Sequence, residues 1–189
     1  MDIYQRGIII AAPLSVGDAL CGILSAARHD VLFVCAKGRE AIRRVQTSQP
    51  AILIVTCKLE DMPGIEVANA AYSTSNVIML GSQSELENIR QTAADIILLD
   101  FNSPPGIILQ TIDVIFSMRS SMNRLEKQIS ELTRSLEETK IICKAKCALM
   151  EARGMSEVET HRRLQTLSME RGERMASVAG RILEELSGE

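Results

Sequence analysis

Tryptophan is absent from this 189-residue chain, and only two Tyr and three Phe are present. The core must therefore be built from Ile, Leu, Val, Ala and Met, which the hydrophobic content of 46% supplies. No basic segment followed by a long apolar region opens the sequence, and no apolar run reaches the ~18 residues a spanning helix needs. The expectation is therefore a soluble cytoplasmic protein without a membrane helix. The five cysteines (21, 35, 57, 143 and 147) form no CxxC pair, and only His29 and His161 could join them. Such usage fits reduced thiols rather than disulfides or a metal centre, although Cys143 and Cys147 stand one helical turn apart. Neither a metal nor another cofactor is expected. Between Gly106 and Gly154 there is neither glycine nor proline, so nothing breaks a helix there.

Net charge is only −3, which rules out a uniformly basic polyanion binder. The distribution is uneven. Residues 1–139 hold 12 Lys/Arg against 16 Asp/Glu, whereas residues 140–181 hold 9 against 5. A locally basic stretch within an acidic protein points to a nucleic-acid site near the C-terminus.

The first ~115 residues alternate between two kinds of segment. Short β-rich runs occur at 7–12, 31–35, 51–56, 76–81 and 95–99, and the segments 15–28, 38–46, 65–71 and 84–92 between them have helical periodicity. Continuous apolar strands separated by helices predict a five-stranded parallel sheet covered on both faces, a doubly wound α/β fold. Ser103-Pro104-Pro105 then predicts the start of a helix that runs almost to Gly154. Along it Ile115, Met118, Met122, Leu125, Ile129, Leu132, Leu136, Thr139 and Cys143 are spaced alternately three and four apart. This is the seam of a coiled coil, most simply a parallel homodimer, with Met118, Met122, Leu125, Ile129, Leu132 and Leu136 as its core and Thr139 and Cys143 as weak layers. Past Gly154, Ser156-x-x-Glu159 reads as a capping box opening a second helix, and Gly172 separates it from a third that ends near Leu186. The expected division is an α/β domain at 1–117, a coiled coil at 118–139 and a small three-helix domain at 140–189.

The stretch 56–67, TCKLEDMPGIEV, resembles the strand end and turn that carry the phosphorylated aspartate of bacterial receiver domains. The resemblance implies a carboxylate nucleophile, an acidic pair for Mg²⁺, a hydroxyl residue and a lysine at fixed strand ends. Here those positions hold Thr56, Ala11 and Ala12, Gly81 and Asp100. An alanine methyl binds no cation, and a threonine hydroxyl without base or metal is a poor phosphoryl acceptor. The expectation is a degenerate receiver with a filled pocket. Its control is expected to pass to a sequestering or sensor protein, or to abundance.

Residues 141–183 resemble the ANTAR domain of bacterial antitermination regulators. Ala145-Lys146 with Leu149-Met150, then Gly154, Ser156-Glu157, Leu164, Met169, Arg171, and Val178-Ala179 with Ile182-Leu183 fall in the family's register. Thr160, His161 and Ser168 depart from it. The resemblance implies binding to paired hairpins in a leader mRNA, which prevents a terminator from forming. Lys140, Lys144, Lys146, Arg153, Arg162, Arg163, Arg171 and Arg174 are the candidate RNA contacts. Ala145, Leu149, Met150, Leu164, Met169, Val178 and Ile182 are read as core, and His161 as a buried helix-face residue. Rival readings are a DNA-binding regulator, disfavoured because no short turn joins two helices, and a coiled-coil signalling adaptor. No nucleophile–base pair supports an enzyme.

Overall fold

The computed structural model describes residues 7–90 and 96–187. The chain divides into two compact units, Met1–Ser120 and Ser121–Glu189.

In the first unit β1 (Ile8–Ala11), β2 (Val31–Cys35), β3 (Ile52–Thr56), β4 (Asn76–Gly81) and β5 (Ile96–Asp100) form one parallel sheet in the order β2-β1-β3-β4-β5. Helices α1 (Leu14–Ala26), α2 (Gly38–Ser48), α3 (Gly64–Ala71) and α4 (Gln83–Arg90) connect the strands. The central strands are apolar throughout because both faces are covered, and their period of two sorts the side chains between two cores. Ile9, Leu53, Val55, Val77 and Met79 pack under α2, α3 and α4, joining Val45, Val67 and Leu86. Ile8, Ile10, Ile52, Ile54, Ile78 and Leu80 face Leu20 and Leu24 of α1 and Ile108, Ile112 and Ile115 of α5. The predicted doubly wound sheet is what the chain forms. The predicted strand starts at 7 and 51 are trimmed to Ile8 and Ile52, while position 95 and the end of the predicted helix 84–92 lie outside the described residues.

Helix α5 (Pro105–Arg153) runs 49 residues without interruption, starting on a proline whose missing N–H costs nothing in a first turn. Ile115 corrects the sequence reading. It is only 5% exposed and belongs to the inner face set by Ile108 and Ile112, at helical spacing, so it is no seam residue. The remaining predicted seam residues, from Met118 down to Leu136, are 56–67% exposed in the single chain.

In the second unit the last turns of α5 pack with α6 (Glu157–Arg171) and α7 (Met175–Ser187). Gly154 and Gly172 sit at φ of 62° and 64°, the left-handed geometry that ends a helix and favours glycine. At the start of α6 the Glu159 carboxylate accepts from the Ser156 amide at 2.9 Å, and the Ser156 hydroxyl accepts from the Glu159 amide, closing the predicted box. The core consists of Ala145, Leu149, Leu164, Val178, Ala179 and Ile182.

Candidate nucleic-acid interface

The strand ends of the sheet bring the five degenerate positions to one edge. Ala11 and Ala12 are fully buried and Thr56 nearly so. Gly81 and Asp100 are register neighbours on β4 and β5. The Thr56 hydroxyl donates to the Lys58 carbonyl at 2.9 Å, so it is engaged within its own loop. Asp100 accepts from the Asn102 amide at 2.7 Å and shapes the turn after β5. A Cβ at Gly81 would lie 2.4 Å from the Cys57 sulfur, so that thiol fills the space a side chain there would need. Cys57 is buried, and burial pushes its thiol pKa up, as expected for a packing residue rather than a nucleophile. Gly81→Ala should therefore overpack this corner and lower the unfolding free energy by about 1–3 kcal/mol. Urea melts of the single and double variants give the check. Adding Cys57→Ala should recover most of the loss, and strict additivity would show that the two positions do not compete.

Beside that corner, Lys58 and Glu85 form an ion pair of 2.8 Å. Glu85 also accepts from the Ser82 hydroxyl and amide, at 2.8 and 3.0 Å. The Lys58 hydrogen bond foremost, with those from Ser82, lowers the Glu85 pKa from 4.5 to about 2. The contribution of this carboxylate is thus complete above about pH 4.5 and fades as pH falls toward 2. Asp61 accepts from the Gly38 and Arg39 amides at 2.6 and 3.2 Å, supplying the N-terminal cap that Lys37 cannot give α2. Asp61, the second acidic residue of the quoted stretch, thus has a structural use that its spacing did not reveal.

The basic residues of the second unit do not form one patch. Arg153, at the end of α5, and Arg163 and Arg171 of α6 line a cleft of about 300 Å³. Arg181 and Glu185 of α7 complete its polar wall, while Leu149, Leu167, Val178 and Ile182 provide apolar lining. Arg181, absent from the predicted set, is therefore part of the densest cationic feature of the module. It pairs with Glu173, and a single cation within the α7 segment gave the sequence reading only a weak signal. Lys146 and Arg162 line a second cleft of about 530 Å³ with His161, Glu157 and Gln165. Lys146 is held there by Glu157 at 3.3 Å. Lys140 pairs with Glu137, and Arg174 with Glu138, at 3.0 and 3.2 Å. Lys144 is exposed and lines neither cleft. Among the described residues Lys144, Arg153, Arg162, Arg163 and Arg171 make no ion pair. No carboxylate lies within ion-pair distance of them, which leaves them freer to meet a phosphate than the paired Lys140, Lys146 and Arg174.

Three core assignments fail. Met169 is 77% exposed because it lies five residues past Leu164, well off the inward line that Leu164 and Leu167 define. Met150 follows buried Leu149 by one residue, about 100° around the helix, and is 37% exposed. His161 is likewise displaced from buried Thr160 and stands in the second cleft, exposed. The polar departures have explanations. The Thr160 hydroxyl donates to the Ser156 carbonyl at 2.7 Å, which lets it be fully buried. The Ser168 hydroxyl donates to the Glu173 carbonyl across the α6–α7 turn.

Comparison with known proteins adds four findings. Residues 130–183 match the ANTAR domain. The chain is 25% identical over 163 residues to the transcriptional regulatory protein PdtaR of Mycobacterium tuberculosis, covering 84% of this chain and 79% of that protein. It is 31% identical over 74 residues to the nitrate regulatory protein of Klebsiella oxytoca, covering 39% of this chain but 19% of that one. The α/β unit has the fold of the receiver domain of AraT, a response regulator from Geobacillus stearothermophilus. The TM-score is 0.56 at 12% identity, over 63% of this chain and 98% of that one. Among the described residues no helix is long and apolar enough to cross a membrane.

Proposed function

The chain carries an ANTAR domain behind a domain of receiver fold, and from that premise we propose that it is an RNA-binding transcription antiterminator. It binds paired stem-loops in a nascent leader mRNA and holds them so that an overlapping terminator hairpin does not form. The observation that carries this reading is the arginine cleft. Arginines from three helices line one concavity together with apolar side chains, which suits phosphates and unpaired loop bases together. Lys140, Lys144, Lys146, Arg162 and Arg174 extend the phosphate contacts around the module.

Two modules act as one unit. The exposed seam from Met118 to Leu136 pairs with a second copy in parallel, and each module then takes one hairpin at the effective concentration the tether sets. In this reading residues 1–117 are the receiver-fold domain, 118–139 the coiled coil and 140–189 the RNA-binding module. Control does not pass through an aspartyl phosphate, because the strand ends supply Ala11, Ala12 and Thr56 in place of carboxylates, and Asp100 in place of a lysine. A sequestering or sensor protein is the natural controller, and the protein works in the cytoplasm.

Transcription in vitro through a leader with two hairpins, the second overlapping a terminator, tests both parts. Added protein should raise read-through several-fold. Acetyl phosphate with Mg²⁺ should change neither the read-through nor the mass of the protein. Unchanged termination would contradict the antiterminator, and a phospho-adduct would contradict phosphate-independent control.

A further inference from the structure

The five cysteines fall into two groups. Cys35 and Cys57 are buried and Cys21 is half-buried, all in the α/β unit, whereas Cys143 and Cys147 are exposed on α5. Cys143 lies two residues before Ala145, which is fully buried in the core of the three-helix module. At 3.6 residues per turn the two side chains leave the helix on nearly opposite sides. The Cys143 thiol therefore faces away from the RNA-binding module's own core.

That outward side is the seam. Met122, Ile129, Leu136 and Cys143 recur every seven residues, with Leu125, Leu132 and Thr139 between them. Ile129 in the first set and leucines in the second form the arrangement that favours two parallel strands. The flanking charges agree. An antiparallel pair with the seam fully overlapped would set Arg119 against Lys140. In the parallel pair the neighbours of the first set, Ser121, Gln128 and Ser135, are uncharged and repel nothing.

In a parallel, in-register pair each layer brings the same residue of both copies together, so the two Cys143 thiols meet. Helix axes about 8–10 Å apart, with Cα atoms about 2.3 Å from each axis, bring the paired Cα atoms to roughly 3.4–5.4 Å at closest approach, overlapping the span of a disulfide. The preceding layer is Thr139, which is exposed and polar and keeps this end of the seam open to solvent and small thiols.

We propose that Cys143 is a thiol–disulfide exchange site that locks two copies of the chain covalently, with a low-molecular-weight disulfide as oxidant. The inference rests on the parallel dimer proposed above. The thiolate of one Cys143 attacks a sulfur of the small disulfide, forming a mixed disulfide and expelling one small thiolate. The thiolate of the other Cys143 attacks the protein-side sulfur of that mixed disulfide, forms the interchain bond and expels the second thiolate. The two protons lost by the protein thiols end on the two released small thiols. Two protein sulfurs are oxidised by two electrons, and the small disulfide is reduced. The lock keeps both RNA-binding modules on one tether at protein concentrations where a noncovalent pair would dissociate.

The test uses the full chain incubated with glutathione disulfide and run on a non-reducing gel, with sedimentation of the reduced protein alongside. More than half of the wild type and of Cys147→Ser should run at twice the chain mass and return to one chain mass with dithiothreitol. Cys143→Ser, a change at an exposed position, should stay at one chain mass while still sedimenting as a dimer. No doubled band from a reduced dimer, or a doubled band that survives in Cys143→Ser, overturns the site. A reduced wild type that sediments as a monomer overturns the dimer on which it rests.

Discussion

Replacing Leu125 and Leu132 together with lysine should leave each chain folded, convert it to a monomer and weaken binding to a two-hairpin RNA by about 100-fold or more. Both side chains are more than half exposed in the single chain, so neither the sheet nor the three-helix core loses a contact. What the substitutions remove is the pairing surface: two charges per chain brought face to face in seam layers one heptad apart cannot be buried. Affinity for a single hairpin should be nearly unchanged, because the modules are intact. The loss comes from turning the second binding event from an intramolecular step into an independent one. Sedimentation and fluorescence anisotropy with one- and two-hairpin RNAs give the readout. A variant that remains dimeric, or that binds the two-hairpin RNA within threefold of wild type, would contradict the tethering account.

The second large effect is expected at Leu164. It is fully buried among the six residues that form the core of the second unit. Truncation of such a leucine to alanine costs about 2–5 kcal/mol, and a core this small supplies only a few kcal/mol of net stability. Leu164→Ala should therefore melt the module at ambient temperature, abolish RNA binding and leave the unfolding transition of the α/β unit in place. Met169→Ala, at a position the sequence pattern suggested was core but which is 77% exposed, should change stability by less than about 0.5 kcal/mol. Thermal melts followed by circular dichroism distinguish the two. If Met169→Ala were as damaging as Leu164→Ala, the packing described for α6 would be wrong.

The contrast between Leu164 and Met169 shows where the sequence was readable and where it was not. The five strands were legible because a sheet covered on both faces demands unbroken apolar runs, and Ile52–Val55 or Val77–Leu80 admit little else. The long helix was legible from the absence of breakers, and α6 from its capping box and terminal glycine. Features that depend on which side of a helix faces inward in a small bundle were less accessible. Met150, His161 and Met169 lie about 100–140° from the true inward lines, and a motif register gives no angle. The same pattern spread the basic residues evenly along the sequence. The fold gathers Arg153, Arg163, Arg171 and Arg181 into one cleft and sends Lys146 and Arg162 to another. In the α/β unit, the substitutions at 11, 12, 56, 81 and 100 could be read as lost chemistry. That the Cys57 sulfur occupies the space beside Gly81 required contacts between β3 and β4 that no local pattern encodes.

The central claim is that the second unit is an RNA-binding module whose affinity resides in its arginine cleft. The most direct measurement is binding of the full chain to a two-hairpin RNA and to duplex DNA of equal length, each over a series of salt concentrations. The account predicts RNA affinity at least tenfold above that for DNA. Affinity should fall steeply with salt, by roughly 0.7–0.9 log units per log unit of salt for each phosphate engaged. Arg171→Ala or Arg163→Ala should weaken RNA binding and reduce that slope by about one. Equal affinity for the two nucleic acids, or an RNA affinity unmoved by salt and by both substitutions, would contradict it.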